Sequence, residues 1–239
     1  EEDNNKDFQL IINSDEMQQI KDNKNSFSEF LHLLCEISKN HHRFPQFFNT
    51  IEQILNLLKD DIKKTFSNLE LFYIFKGNKL ILYILITNQI ITIDQSISDI
   101  ILTKSKHYIQ YFFPEIEKFI DANKKNSIEQ QMTSTDSSIF INFDEKRKIG
   151  ENDSYICTLI RNDSVEEFIT HINKMNLKLS TQIGLSIFET NDFLIGRNPT
   201  LIEYAAFYGS IQIFQFLFLN NVELNPSLWF YSIHGKNPE

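Results

Sequence analysis

The residues able to do chemistry are few and scattered. His41 and His42 are adjacent, so they cannot share one helix face as metal ligands at i and i+4 would, and they read as a loop before Pro45. Cys35 and Cys157 each fall on an apolar helical face with no paired histidine, the setting of a buried small hydrophobe rather than a nucleophile. Glu115 with Glu117, or Glu166 with Glu167, would make an acid/base pair. Each pair sits in the opening turns of a predicted helix, where the macrodipole favours negative charge anyway. Lys104, Lys106 and His107 interleave with Tyr108, Tyr111 and Phe112, a pattern that stacks single-stranded nucleic acid or, read structurally, a core-facing aromatic stripe with a solvated lysine edge. Lys146, Arg147 and Lys148 read as a solvated connector. G-x-S-x-G, a Walker loop, G-x-G-x-x-G and H-E-x-x-H are all missing, and the six glycines are spread singly. An active site in residues 1–145 would have to gather His41, His42, His107 and Glu115 from separate elements. The sequence implies no catalytic residue, cofactor or metal.

Composition sets the class these elements belong to. The chain has 239 residues, 41% hydrophobic and 23% charged, the balance of a water-soluble folded protein. Its net charge of -9 opposes binding to phosphate backbones, which argues against nucleic acid as a partner. Two cysteines 122 positions apart suit a reducing, intracellular and most simply cytoplasmic setting. The least polar run, Leu80 to Ile93, falls short of the ~20 residues a membrane span needs. The start Glu1-Glu2-Asp3-Asn4-Asn5 reads as the edge of a piece of a longer chain.

Usage is skewed to 35 Ile and 24 Asn with three Ala, two of them adjacent at 205 and 206. In a chain that avoids alanine, such a pair marks a close helix approach. Around it, Leu201, Ile202, Ala205 and Ala206 recur at helical spacing, and Ile211, Phe214, Leu217 and Phe218 do so after Gly209. The spacing predicts helix, tight turn, helix, with Gly209 left-handed and Ser210 capping the second helix.

The stretch T-L-I-E-Y-A-A-F-Y-G-S-I-Q-I-F-Q-F-L-F-L-N-N-V-E-L-N resembles an ankyrin repeat. Thr200, Ala205, Ala206, Gly209, Ile213, Leu217 and Asn225 match the family pattern. Leu201, Glu203 and Asn221 stand where Pro, His and Gly are usual, and the first two departures are expected to weaken the turn-and-cap chemistry. A second hairpin is predicted over 154–172, with Asn162 and Asp163 at its turn, beside the one at 199–221. Residues 226–239 read as the truncated first helix of a further repeat, so continuation past Glu239 is expected. Ser164 to Ser210 is 46 residues, one repeat plus an insertion of about 13 placed within Asn173 to Asn198, where a functional or mobile loop is expected. With I-G-E-N-D-S-Y-I-C-T-L-I-R-N-D (149–163), the pattern is similar to ankyrin-repeat proteins expanded in some single-celled eukaryotes, in which an uncharacterised helical segment precedes the repeats.

The expected fold is all-α: residues 1–122 a helical region with degenerate hairpins, 123–148 a polar linker, 149–239 an ankyrin-type α-solenoid. Phe72 to Ile86 reads as one such hairpin around Gly77, with buried strands over Leu80 to Ile93 as the alternative. The resemblance implies a non-enzymatic scaffold binding a protein partner, and sets no oligomeric state. Register puts Glu203, Tyr204, Tyr208, Glu223, Trp229, Phe230 and His234 toward that partner. The alternative is an enzyme with its site in 1–145 and the repeats as a targeting arm, or else a structural spacer.

Overall fold

The computed structural model describes residues 8–40 and 45–234. Among these the chain is helical with no strand, and its only pairing of extended backbone is an isolated antiparallel bridge between Gln182 and Thr200. An Ile-rich chain poor in alanine has weak helix propensity, so caps and burial must supply the rest. The polar residue before an apolar run repeatedly does this. The side chains of Ser14, Ser67, Asn78, Asp94, Ser105, Asp121 and Thr200 each accept a hydrogen bond from the backbone N–H three residues on.

The chain forms two compact units. The first holds the described residues up to Gly150 together with Thr190–Asp192. It opens with α1 (8–12), α2 (Asp15–Asp22), α3 (Lys24–Asn40), α4 (Pro45–Leu57), α5 (Lys59–Thr65), α6 (Asn68–Phe75) and α7 (Lys79–Thr87). It continues with α8 (Gln95–Ile101), α9 (Lys106–Tyr111), α10 (Phe113–Ile116), a 3-10 turn, α11 (Ala122–Thr135) and α12 (Phe143–Ile149). Helix α3 lies against α4 and α6, α4 against α7, and α6 against α7 and α8. Every residue of α7 from Lys79 to Leu85 is buried, because neighbours surround it on several sides. That burial, with Asn78 capping the start, makes Lys79–Thr87 a helix and removes the alternative of buried strands. Lys59 and Lys63 donate to the carbonyls of Asn88 and Gln89 just past its C-terminus, where cations are favoured.

The 123–148 segment, expected to be a polar linker, carries α11 and α12 and belongs to the first unit. Its polar character remains in α11, which buries Ile128 and Met132 and leaves most of its surface in water. Helix α12 lies on α7 and is held by a residue expected to be solvated. Arg147 is buried, with its guanidinium over the Tyr83 ring at 4.4 Å and bonded to both Glu115 oxygens at 2.8 and 2.7 Å and to the Tyr111 carbonyl at 3.1 Å. Tyr111 returns a bond from its hydroxyl to the Arg147 carbonyl at 3.0 Å.

The second unit holds Glu151–Glu189 and the described residues from Phe193. Its helices are α13 (Tyr155–Arg161), α14 (Val165–Met175), α15 (Leu201–Tyr208), α16 (Ile211–Leu219) and α17 (Leu228–Ile233). Helices α13 and α14 form one hairpin and α15 and α16 another, with α13 against α15, α14 against α16 and α17 against α15. The two hairpins share their backbone bonding. Asp163 and Gly209 are left-handed at the turns, Ser164 and Ser210 donate N–H to Leu159 and Ala205, and the left-handed Asn176 and Asn221 follow the second helices. The segment after Asn176 is folded down rather than free. Ile183, Ile187, Phe188 and Leu194 are buried, and backbone bonds join Ile183 to Pro199 and Leu201 to Thr181.

Candidate functional site

Ala205 and Ala206 are both buried, on a helix that touches α13, α16 and α17. That crowding decides the fate of the residues expected to face a partner. Tyr204 is buried at 1% exposure, its hydroxyl accepting from Arg161 at 3.0 Å. Burial pushes the Tyr204 and Tyr208 phenols well above their ordinary range. Glu203 is also buried. Its carboxylate accepts the Thr200 N–H at 2.7 Å while the Thr200 hydroxyl accepts the Glu203 N–H, a complete capping box, and the Ser227 hydroxyl bonds its other oxygen. Glu203 thus performs the cap chemistry that its departure from the family pattern was expected to weaken. Tyr208 is half-buried against the Tyr204 ring. His234 is half-buried too, its ring 4.5 Å from that of Phe193 and 5.3 Å from that of Phe207. Register alone missed this because α15 is a central helix here, enclosed on several sides.

Glu223, Trp229 and Phe230 remain exposed, the last two at 66% and 58%. The same stretch of chain exposes apolar residues that register did not single out. Phe218, Leu219, Leu224 and Ile233 are all exposed, so α16, α17 and the segment between them each leave large apolar side chains in water. A signal for it existed. Both I-Q-I-F-Q-F-L-F-L and L-W-F-Y-S-I are apolar over more of their circumference than one buried face requires.

Comparison with family models, curated proteins and solved structures gives no match to this chain. The reading of the site therefore rests on its geometry.

Ser210 does not cap α16 with its side chain; its hydroxyl bonds the Ile160 carbonyl at the end of α13. The cap comes from the neighbouring hairpin. Asp163, left-handed at its turn, accepts the backbone N–H groups of Gln212 and Ile213 with its two oxygens, both at 3.0 Å. Residues unmarked in the sequence complete the join. Arg161 pairs with Glu151 at 2.8 Å, donates to the Asn152 carbonyl at 2.8 Å and reaches the Thr158 hydroxyl at 3.2 Å. Ten positions separate Arg161 from Glu151, so no local pattern announces the pair.

The candidates for catalysis meet different surroundings. Glu115 is committed to Arg147, and its carboxyl is pushed up by burial and pulled part of the way back by that guanidinium. His107 is lowered by burial, with Lys79 and Lys106 adding to the effect. Glu166 and Glu167 line an open cleft of about 440 Å³ with Tyr155, Thr170, His171 and Lys174. Tyr111 and Phe112 are fully buried, so those rings are not available to stack bases. His41 and His42 lie outside the described residues. Among the described residues no group of three or more His, Cys, Asp or Glu is placed to hold a metal ion, and no helix is long and apolar enough to cross a membrane.

Both cysteines are buried, and burial pushes each thiol up to about 11. We expect neither to react with a thiol-specific chromogenic disulfide in the folded chain at pH 8, and both to react fully in denaturant. Rapid labelling of either thiol under native conditions would contradict the burial that removes them from chemistry.

Proposed function

We propose that this chain is a non-enzymatic protein-interaction module, with its second unit a short ankyrin-type α-solenoid and the α16–α17 edge its binding surface. The observation that carries the reading is the exposure of Trp229 and Phe230, in a stretch of chain that also exposes Phe218, Leu219, Leu224 and Ile233 and has Glu223 as its one charged residue. Large aromatic anchors with few charges are the groups that dominate protein interfaces, whereas scattered single apolar residues need no partner. No cofactor enters the reading. Two reduced, buried thiols fit an intracellular location.

The repeat part of the proposal draws on the shared turn geometry and on side-by-side packing of first helix on first helix and second on second. Asp163 is the tie between the hairpins, so it makes the sharpest test. Asp163→Ala should lower stability by about 1–3 kcal/mol, combining a lost cap on α16 with a left-handed backbone that alanine tolerates poorly. Asp163→Asn keeps one acceptor and tolerates the left-handed turn, so its loss should be about half as large. Urea unfolding of the three chains measures this. An alanine chain as stable as the parent would show that the hairpins are not coupled through this turn.

For the function itself, the full chain and its Trp229→Ala/Phe230→Ala double variant would be immobilised and exposed to lysate of the source cell. The expected result is a protein retained by the parent and at least tenfold depleted on the variant, with unchanged circular dichroism. Equal retention would move binding off this edge. A chain that retains nothing but turns over an added substrate would overturn the non-enzymatic reading.

A further inference from the structure

A cleft of about 300 Å³ opens in the first unit, lined by the end of α8 and by α9 and α11. Its apolar lining is aliphatic, from Leu102, Ile109 and Ile128. Two cations join it. Lys106 and Lys124 are exposed and form no ion pair among the described residues, although the next lysine, Lys125, is paired with Glu117 at 2.7 Å. Among the described residues no carboxylate lines the cleft, in a chain whose net charge is -9. The field of the chain is locally reversed here, so an anion is attracted where most of the surface repels it.

Packing does not account for one lining residue. Gln110 is 3% exposed, and its side-chain amide makes no hydrogen bond among the described residues. Buried polar side chains are normally bonded, because an amide taken from water without a partner costs free energy. The Gln110 amide is open to the cleft rather than sealed, so whatever enters can complete it. It offers an acceptor and two donors on neighbouring atoms. The group that answers both at once is another amide, such as a peptide unit. Lys106 lies one helical turn before Gln110 and on the same side of α9, and Lys124 stands in the same relation to Ile128 on α11.

A ligand that suits this cleft has a negative charge, a small apolar body, and a group that both donates and accepts. The last residue of a peptide carries all three within a few bonds. An internal acidic residue would place its carboxylate and the apolar side chain on different residues, which is more than a cleft with room for about ten water-sized groups takes. We propose that this cleft binds the C-terminal residue of a peptide, with its carboxylate between Lys106 and Lys124, its apolar side chain on Leu102, Ile109 and Ile128, and its last peptide group on the Gln110 amide. The cleft belongs wholly to the first unit, so it does not depend on the reading of α16 and α17 as a binding surface. So small a contact gives a weak complex, with Kd on the order of 1 mM, and added salt should loosen it because opposite charges meet.

The test is nuclear magnetic resonance of the full, isotope-labelled chain titrated with acetyl-Gly-Leu to about 20 mM, with the Gln110 side-chain amide signals identified by their loss in Gln110→Met. Those signals are expected to shift with the peptide, with Kd on the order of 1 mM, and less at high salt. Blocking the peptide's carboxylate, as acetyl-Gly-leucinamide, should weaken binding at least about fivefold, and so should Lys124→Glu with the unblocked peptide. Lys124 is exposed near the start of α11, where a glutamate suits the helix, so unchanged circular dichroism is expected of that variant. Gln110→Met, followed on the backbone signals of Ile109 and Ile128, should weaken binding by a similar factor. No shift at the highest peptide concentration would overturn the proposal and leave Gln110 to water. Equal affinity for the blocked peptide, or binding untouched by both variants, would overturn it by removing the lysines or the amide from recognition. Octanoate bound as tightly as the peptide would overturn it in favour of a fatty acid, which has no peptide group for Gln110 to read.

Discussion

Arg147→Ala is expected to destabilise the first unit by about 3–5 kcal/mol, because it breaks a buried ion pair by removing one partner. The Arg147 side chain is 3% exposed and Glu115 is 14% exposed, so the carboxylate left behind has little water to turn to. The Tyr111 carbonyl also loses its donor, and the Tyr83 and Phe143 rings lose the guanidinium that lies 4.4 and 5.2 Å from their centres. Asp144 contributes little, since its carboxylate is 74% exposed. The Nε of Arg147 has no hydrogen-bond partner, so the pair is not fully satisfied even in the parent chain. Arg147→Met in combination with Glu115→Leu should therefore recover most of the loss, whereas Arg147→Met alone should not.

The pH dependence of that deficit has a definite sign. Burial raises the Glu115 carboxyl, and the guanidinium opposes the rise, so removing Arg147 raises it further. A carboxyl whose folded value lies above its unfolded value of about 4.3 contributes most below the unfolded value and loses that contribution as pH rises through the folded one. The Arg147→Ala deficit should thus be smallest near pH 4 and grow toward neutrality. Urea unfolding at several pH values measures it. A deficit that is flat with pH, or that grows as pH falls, would show that the loss comes from packing of the arginine stem alone.

The same residue marks where the sequence could be read and where it could not. Helix–turn–helix spacing around Gly209 and Gly77 was legible because it is local: apolar residues at i, i+3 and i+4, a capping polar residue, and a glycine or Asn-Asp pair between runs. Lys146-Arg147-Lys148 was read as solvated by the same local logic, and its middle member is buried because Glu115 waits 32 positions upstream. Asp163 and Ser210 show the difference within one motif. Each was recognised at its turn, but the atom that each serves belongs to the other hairpin, about 50 residues away in the chain. Partner-facing positions failed in a similar manner. Glu203 and Tyr204 sit at register positions that would be open on an isolated hairpin, and the structure closes them with Ser227 and Arg161. The exposed edge was partly visible, in the aromatic run at Trp229 and Phe230, because an apolar excess around a whole helix is a property of the helix itself.

What holds that edge in place is a residue no partner touches. Phe207 is fully buried, its ring stacked on that of Phe193 with centroids 5.6 Å apart and planes within 4°. Phe193 in turn meets Tyr231 at 5.1 Å and His234 at 4.5 Å, so one aromatic column supports both the segment before Pro199 and the inner side of α17. A six-residue helix cannot stand without such support. Phe207→Ala should lower stability by about 3–5 kcal/mol through lost burial and the cavity left behind, and Phe207→Leu, which keeps most of the volume, by less than about 1.5 kcal/mol. The alanine variant should also lose hydrogen-exchange protection in α17 before the rest of the second unit. Retention by the α16–α17 edge should weaken with it, although none of the exposed residues has changed. If α17 amides stay as protected as those of α15 while global stability falls, Phe207 supports the core alone, and the edge is held by Leu228 and Tyr231 without it.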